Sequence, residues 1–267
     1  MFHVQIFTPT DIHMTTPEFG FLLLHGYAGR PFEMSFLAEH LGASGYPVLV
    51  PHLAGHEGNA DDFAHSGFED WLDSAENALR AMREQCAHVV VVGFSLGGTL
   101  ALALAEKLPL AGVVTIAAPV FLCRLFPYFS PDPKLLLSGI VRHVCKRLPA
   151  SKAKPESRRI APWEGYEGTH YVDPLHSFKR AAIRVRRDLF RITAPLMVLH
   201  GARDQAVHPD NAWEIISHVS SSRREMHILS VREQVTSGHL LVTHGETRAP
   251  VSALVLGFVR SLQGRIL

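Results

Sequence analysis

The sequence predicts an α/β protein built around a doubly wound, mostly parallel sheet. Three observations predict it: short β-branched apolar runs, amphipathic segments between those runs, and Gly, Pro or polar turn residues where the runs end. Apolar runs without alternation are typical of strands buried on both faces, and strands that alternate with helices form parallel sheets. The length of 267 residues allows one large domain or one domain with an insertion.

Six apolar runs are predicted strands: residues 19–25, 47–51, 89–94, 112–117, 196–200 and 227–231. Four segments with apolar residues at helical spacing are predicted helices: residues 31–44, 68–86, 95–107 and 249–262. These elements place the core of the protein in residues 1–120 and 178–267.

Residues 121–177 interrupt this alternation. The segment is rich in Pro, Lys and Arg and has no clear strand pattern. A long segment of this kind within an α/β protein is typical of an insertion over a site. We therefore expect residues 121–177 to form a cap or lid.

Bulk properties exclude several classes of protein. The net charge is +1, so we expect no nucleic-acid partner. Cys86, Cys123 and Cys145 form neither a disulfide framework nor a zinc pattern, which is typical of a reducing compartment. The apolar runs are too short to span a bilayer, and the first residues lack the pattern of a signal peptide. We expect a cytoplasmic protein.

The stretch Gly93-x-Ser95-x-Gly97 follows the predicted strand 89–94 and precedes a predicted helix. A sharp strand-to-helix turn lifts the serine hydroxyl to the carboxyl edge of the sheet, and the flanking glycines allow the chain to pass close to itself. The context therefore indicates that Ser95 is a catalytic nucleophile. We interpret Gly98 as a residue for close helix–strand packing.

An acyl-transfer site also needs donors for the developing oxyanion. One is expected to be the backbone N–H of Leu96, the residue after the nucleophile. The second is expected from the glycine turn of residues 25–29, and we assign it to the N–H of Tyr27.

The catalytic acid should lie at the carboxyl end of a later strand. Asp204 follows the predicted strand 196–200, whereas its rival Asp210 is better explained as the cap of the next helix. The base should follow the acid. His239 stands between the last predicted strand and the final helix, with His244 as its rival, and His218 and His227 fall within regular elements.

No motif indicates a metal. His52 and His56 are four residues apart, but they lie in a loop, and the sequence has no HExxH or clustered Cys/His pattern. We expect neither a metal nor another cofactor.

At these residues the chain resembles the bacterial carboxylesterases and monoacylglycerol lipases of the α/β-hydrolase superfamily. The resemblance rests on LLLHGYAGRPFEMSFLAEHL, GYPVLVPHLAGH, FEDWLDSAENAL, VVVVGFSLGGTLALALAE, PLMVLHGARDQAVHPDNA and SGHLLVT. It implies the α/β-hydrolase fold, ester hydrolysis, Asp204 and His239 as acid and base, and Tyr27 as the second oxyanion donor. It also implies that the insertion is the small helical cap that shapes the acyl and alcohol pockets. The cap itself does not align, so no substrate is implied.

The expected reaction is cleavage of a small ester through an acyl-enzyme on Ser95. Alternatives with the same triad are a thioesterase, a peptidase or a C–C bond hydrolase, and outside enzymes a non-catalytic ligand-binding homologue. The basic residues between Arg142 and Arg191 leave two interpretations open. They form either a solvated face or a surface for acidic substrates and transient membrane contact.

Overall fold

The computed structural model of the chain describes residues 5–7, 18–123 and 137–264. Their main sheet has seven strands in the order β1-β3-β2-β4-β5-β8-β9. The strands are β1 (Gln5–Phe7), β2 (Phe19–Leu24), β3 (Val48–Val50), β4 (His88–Phe94), β5 (Gly112–Ile116), β8 (Leu196–Gly201) and β9 (Arg224–Leu229). Only the edge strand β1 pairs antiparallel within the described part of this sheet. The predicted doubly wound, mostly parallel sheet is confirmed.

Helices cover both faces of the sheet. The α-helices of the described residues are α1 (Ser35–Ala43), α2 (Ala60–Ala64), α3 (Phe68–Gln85), α4 (Leu96–Lys107), α5 (Ser138–Val141), α6 (Pro155–Ile160), α7 (Val172–Asp188), α8 (Asp210–His218) and α9 (Arg248–Gln263), of which α5 and α6 lie in the predicted cap. One core cluster joins the sheet to α1 and α9 through residues such as Leu37 and Val255. The other joins the opposite face to α3, α4, α7 and α8, with Trp71 and Leu100 fully buried in it.

The register of the parallel strands brings three loops to one edge. Leu24 at the end of β2 lies opposite Gly93 of β4. Phe94 of β4 lies opposite Ile116, which in turn lies opposite Leu199 of β8. The loops after β2, β4 and β8 therefore leave the sheet together, because parallel strands end at a common edge.

Most predicted elements agree with the structure to within one residue at each end, and two differ by more. Residues 31–44 form a short 3-10 helix (Pro31–Met34) followed by α1 instead of one helix. The last strand runs from Arg224 to Leu229, three residues before the predicted start at 227. As an edge strand it alternates between more and less exposed side chains, so it lacks the continuous apolar run that marks a central strand.

The predicted insertion contains regular structure that the sequence did not reveal. Strands β6 (Arg147–Pro149) and β7 (Thr169–Tyr171) form a small antiparallel sheet. Helix α7 begins within the predicted insertion and continues past residue 177 to Asp188. Residues 124–136 of the insertion lie outside the described residues, as do residues 1–4 and 8–17 of the predicted core. The division into core and cap stays a prediction.

Within the described ranges, no helix has both the length and the apolar character needed to cross a membrane.

Candidate active site

Ser95 occupies the turn between β4 and α4. Its backbone has φ +52° and ψ −118°, a conformation that a residue with a side chain adopts only under strain, at about 1–3 kcal/mol. The turn is held because Ser95 N–H donates to the Ile116 carbonyl at 2.8 Å and Gly98 N–H donates to the Ser95 carbonyl at 2.9 Å. The structure therefore places Ser95 on the sharp strand-to-helix turn that the sequence predicts.

The neighbouring glycines are needed because this turn is tightly packed. A methyl group on Gly93 would lie 2.0 Å from the Gly97 carbonyl oxygen, and one on Gly97 would lie 2.1 Å from the carbonyl oxygen of Leu24. A methyl group on Gly98 would lie 2.5 Å from the Ala118 side chain, just after β5, and 3.0 Å from the Gly93 carbonyl oxygen of β4, which agrees with close helix–strand packing. The contact at Gly97 also holds the first turn of α4 against the end of β2.

Ser95, His239 and Asp204 form a continuous hydrogen-bonded chain. The Ser95 Oγ lies 3.0 Å from Nε2 of His239, and Nδ1 of His239 lies 2.7 Å from Oδ2 of Asp204. The other carboxylate oxygen accepts the N–H groups of Ala206 and Val207, each at 2.9 Å. Because a carboxylate only accepts, Nδ1 carries the proton and Nε2 is free to accept the serine hydroxyl.

The electrostatics of His239 are set by its surroundings. Burial lowers the pKa of this imidazole, but the attraction and hydrogen bond of Asp204, together with the charge of Glu33, outweigh burial and raise the pKa above its ordinary value. His200 is fully buried, 3.5 Å from Asp204, and burial lowers its pKa. A neutral His200 donates from Nε2 to the Val207 carbonyl at 3.0 Å, so it does not compete with His239 for the negative charge of Asp204.

The rival residues have other contacts. The Nε2 of buried His244 lies 3.1 Å from Glu233, and its Nδ1 accepts the N–H of Glu246 at 3.0 Å. Asp210 is the first residue of α8, and Pro209 takes the N-cap position that we expected Asp210 to fill. His218 ends α8, and His227 lies within β9.

The predicted oxyanion donors lie on either side of the contact between β2 and α4. Leu96 is the first residue of α4, and Tyr27 lies in a turn closed by the Gly29 N–H and the Gly26 carbonyl at 3.3 Å. Among the described residues, neither the Tyr27 nor the Leu96 N–H takes part in the turn and loop hydrogen bonds of the backbone. Both therefore remain the predicted donors for the oxyanion.

The side chain of Tyr27 points away from this role. Its ring stacks on Phe178 and meets Phe63 and Trp71 edge-on, and its hydroxyl donates to the Tyr171 carbonyl at 3.2 Å. Burial raises the pKa of the Tyr27 phenol, so it stays neutral. The side chain therefore joins the loop after β2 to Tyr171 of the predicted cap and to Phe178 of α7.

Sequence reasoning missed Glu33. The side chain is 1% exposed, and its carboxylate accepts the N–H of Gly26 at 2.6 Å, inside the turn that carries Tyr27. Nothing in the pattern Pro31-Phe32-Glu33-Met34 distinguishes this carboxylate from a solvated one. The one available signal is its position seven residues after Gly26, within reach of the predicted oxyanion turn.

The described residues contain no group of three or more His, Cys, Asp or Glu side chains that could hold a metal ion. Acid–base and nucleophilic chemistry by Ser95, His239 and Asp204 is what the arrangement can perform without further groups.

Comparison with known proteins gives concordant findings. The profile of the Hydrolase_4 family, described as serine aminopeptidase S33, matches residues 16–231. A thermostable monoacylglycerol lipase of Bacillus sp. (strain H-257) is 30% identical over 208 residues, 78% of this chain and 79% of that protein. A carboxylesterase of Bacillus subtilis (strain 168) is 22% identical over 244 residues, 91% of this chain and 93% of the relative.

Solved structures share the fold. One from a study of the metagenome-derived lipolytic enzymes LipS and LipT has a TM-score of 0.80 at 23% identity and covers 94% of this chain and 96% of its own. A soluble variant of monoglyceride lipase from Saccharomyces cerevisiae has a TM-score of 0.78 at 14% identity, over 98% of this chain and 92% of its own.

Proposed function

The chain belongs to the Hydrolase_4 (serine aminopeptidase, S33) family, and on this premise we propose that it is a carboxylic ester hydrolase that works through an acyl-enzyme on Ser95. The observation that carries the proposal is the hydrogen-bonded chain from Ser95 through His239 to Asp204 on a strained strand-to-helix turn. Named lipase and carboxylesterase relatives support the ester chemistry.

In the proposed reaction His239 takes the hydroxyl proton of Ser95 as the oxygen attacks the ester carbonyl. Asp204 keeps the imidazole in the required tautomer and stabilises its charged form. The N–H groups of Tyr27 and Leu96 receive the oxyanion, a contribution of about 3–4 kcal/mol per donor. His239 then protonates the leaving alcohol, and water, activated by the same imidazole, releases the acid from Ser95.

The first test is kinetic. Hydrolysis of a short-chain p-nitrophenyl ester by Ser95→Ala should fall by about 10⁴–10⁶ in kcat, with the fold intact by circular dichroism. Ser222→Ala is the matched control, because Ser222 is an exposed serine after α8, and it should keep wild-type turnover. Near wild-type turnover by Ser95→Ala would refute the assignment.

We further propose monoacylglycerols as the physiological class of ester. The support is the named monoacylglycerol lipase at 30% identity, which this chain matches over more than three quarters of both proteins. A substrate series should give a higher kcat/KM for a long-chain monoacylglycerol than for the di- and triacylglycerols of the same acid. Equal or higher values for triacylglycerols would contradict this choice.

A peptidase is the second candidate, because the description of the matching family is serine aminopeptidase. The same nucleophile can attack esters and amides, but the amine of an amide leaves only after the general acid has protonated its nitrogen. The two candidates separate when the same acyl group is offered as p-nitrophenyl ester and as p-nitroanilide. We expect turnover of the ester alone, and comparable kcat/KM for an aminoacyl anilide would favour the peptidase.

We propose that the predicted cap binds transiently to the surface of the lipid membrane that supplies such a substrate. Leu137, Ile140 and Val144 are 57%, 69% and 87% exposed, and the basic Lys146 lies beside them in the chain. Vesicles of mixed zwitterionic and anionic lipid should retain the protein on flotation, and Ile140→Ser with Val144→Ser should weaken retention. Phe190→Ser, at a residue 58% exposed outside the predicted cap, is the control. Unchanged retention of the double variant would contradict the proposal.

We also propose a cytoplasmic location, supported by the three cysteines, which are all free thiols.

A further inference from the structure

The turn that carries Tyr27 closes around a buried carboxylate. Glu33, in the 3-10 helix before α1, accepts the Gly26 N–H at 2.6 Å, a short charge-assisted hydrogen bond. A methyl group on Gly29 would lie 2.6 Å from this carboxylate, and one on Gly26 would lie 3.1 Å from it. The two glycines at the ends of the turn therefore leave the space that Glu33 fills.

Residues of the predicted cap contact the same turn. Ala28, whose φ is +55°, accepts the N–H of Tyr166 at 2.9 Å on its carbonyl oxygen. A methyl group on Gly165 would lie 2.0 Å from that oxygen, so the two segments are in tight backbone contact. Trp163, on the same segment, lies near the Glu33 carboxylate and helps to lower its pKa against the effect of burial. The turn is therefore held between Glu33 and the segment 163–166.

We propose that Glu33 is a positioning residue for ester hydrolysis. Its carboxylate fixes the Gly26–Gly29 turn so that the Tyr27 N–H faces the oxyanion, and its negative charge supports the imidazolium form of His239. This inference rests on the proposed function, because it assigns a role within the same site.

The geometric part follows from the chain. The Gly26 N–H and the Tyr27 N–H lie in consecutive peptide planes that meet at the Gly26 Cα. Glu33 anchors the first plane, and the Gly29 N–H donates to the Gly26 carbonyl of the second plane at 3.3 Å, so the two contacts together restrict the direction of the Tyr27 N–H. An oxyanion donor acts through its fixed position, because it needs no reorganisation when charge develops. Without Glu33, the turn keeps its cap contacts but loses the contact that fixes its inner side.

The electrostatic part follows from the groups that face Glu33. These are the charged forms of His239, from the loop after β9, and of Arg158, from α6, together with the Gly26 N–H and the Trp163 indole. Burial raises the pKa of Glu33 to about 7, although all four groups act to lower it. In the other direction, the charge of Glu33 helps to raise the pKa of His239. The charge of the carboxylate therefore depends on the protonation of the catalytic imidazole, and the reverse also holds.

Two substitutions separate the parts of the proposal. Glu33→Gln keeps an oxygen that can accept the Gly26 N–H but removes the charge, and Glu33→Ala removes both. Glu39→Gln and Glu39→Ala, at an exposed glutamate on α1, are the matched controls. The assay is hydrolysis of a p-nitrophenyl ester as a function of pH, with kcat and KM resolved.

At pH 8, Glu33→Ala should lower kcat by about 30–100-fold with KM changed less than about threefold, as expected for weakened oxyanion stabilisation. Glu33→Gln should recover most of this loss. The rising limb of its kcat/KM profile should move to lower pH, because His239 has lost a neighbouring negative charge. The Glu39 variants should match the wild type in both respects.

The inference is overturned if both Glu33 variants keep the wild-type kcat and pH profile, or if they change KM alone. If Glu33→Ala does not fold, the pH profile of the isosteric Glu33→Gln still decides. Failure of the proposed function gives a different result, since the wild type itself would then hydrolyse no ester. An active wild type with unaffected Glu33 variants therefore rejects this inference and leaves the proposed function standing.

Discussion

Replacement of Asp204 by asparagine tests the electrostatic design of the site. The carboxylate accepts one hydrogen bond from His239 and two from backbone N–H groups. In Asp204→Asn, the amide oxygen can keep the two backbone donors, but its NH₂ group then faces Nδ1 of His239. The imidazole must turn to the other tautomer, with its proton on Nε2 towards Ser95, where it cannot act as a base.

The expected loss follows from this change of tautomer. An analogous substitution in a serine protease lowers kcat by about 10⁴, which corresponds to about 5.5 kcal/mol of activation free energy. The rising limb of kcat/KM should also move to lower pH, because Asp204 raises the pKa of His239 against the effect of burial. Steady-state hydrolysis of a p-nitrophenyl ester between pH 5 and 9 measures both effects.

Asp210→Asn is the matched control, because Asp210 is the rival acid and lies at the start of α8. It should keep wild-type kcat within about twofold, as surface substitutions usually do. The reasoning is refuted if Asp204→Asn keeps more than a tenth of the wild-type kcat, or if Asp210→Asn loses the activity instead.

Three further outcomes are expected. Gly97→Ala should destabilise the fold by about 3 kcal/mol or more in urea unfolding, because its methyl group would lie 2.1 Å from a β2 carbonyl oxygen. Gly257→Ala, in open space on α9, should stabilise the fold by about 1 kcal/mol, and equal effects of the two substitutions would contradict the packing argument. Tyr27→Phe should cost about 1 kcal/mol of stability but leave kcat unchanged, since the proposed donor is the backbone N–H; a large fall in kcat would point to the hydroxyl. Burial raises the folded-state pKa of Glu33 from 4.5 to about 7, so the unfolded chain loses this proton at lower pH than the folded one. The wild type should therefore lose about 3 kcal/mol of unfolding free energy relative to Glu33→Gln as the pH rises from 4.5 to 8, and a pH-independent difference would contradict this assignment.

The sequence was sufficient for the five inner strands of the sheet and for Ser95, Asp204 and His239, whereas it missed the edge strand β1. Ser95, Asp204 and Tyr27 each follow a predicted strand, and parallel strands deliver such loops to one edge. The buried strands could be recognised because burial on both faces requires continuous apolar runs. The assignment of roles to these residues remains a proposal.

The sequence reasoning was weaker where structure depends on distant contacts. Helix α7 carries Phe178, Ala181, Ala182 and Val185 at helical spacing on its buried side, a signal that was present but masked by prolines and cations. The predicted bounds of β9 are shifted towards the C-terminus, because an edge strand carries charged residues such as Arg224 that interrupt the apolar pattern.

Glu33 shows a different limit. Its role depends on the turn of residues 26–29 and on Trp163, which is 130 positions away in the chain. A local pattern contains neither contact. Buried carboxylates of this kind become visible only when the fold is known.

The central claim is that Ser95 is the nucleophile activated by His239. Its most direct test is reaction with a fluorophosphonate, followed by intact-mass and peptide mass spectrometry. We predict one label per chain on the peptide that contains Ser95, none on Ser95→Ala, and much slower labelling of His239→Ala. A folded, ester-hydrolysing wild type that takes the label on another residue, or that takes none, would contradict the account.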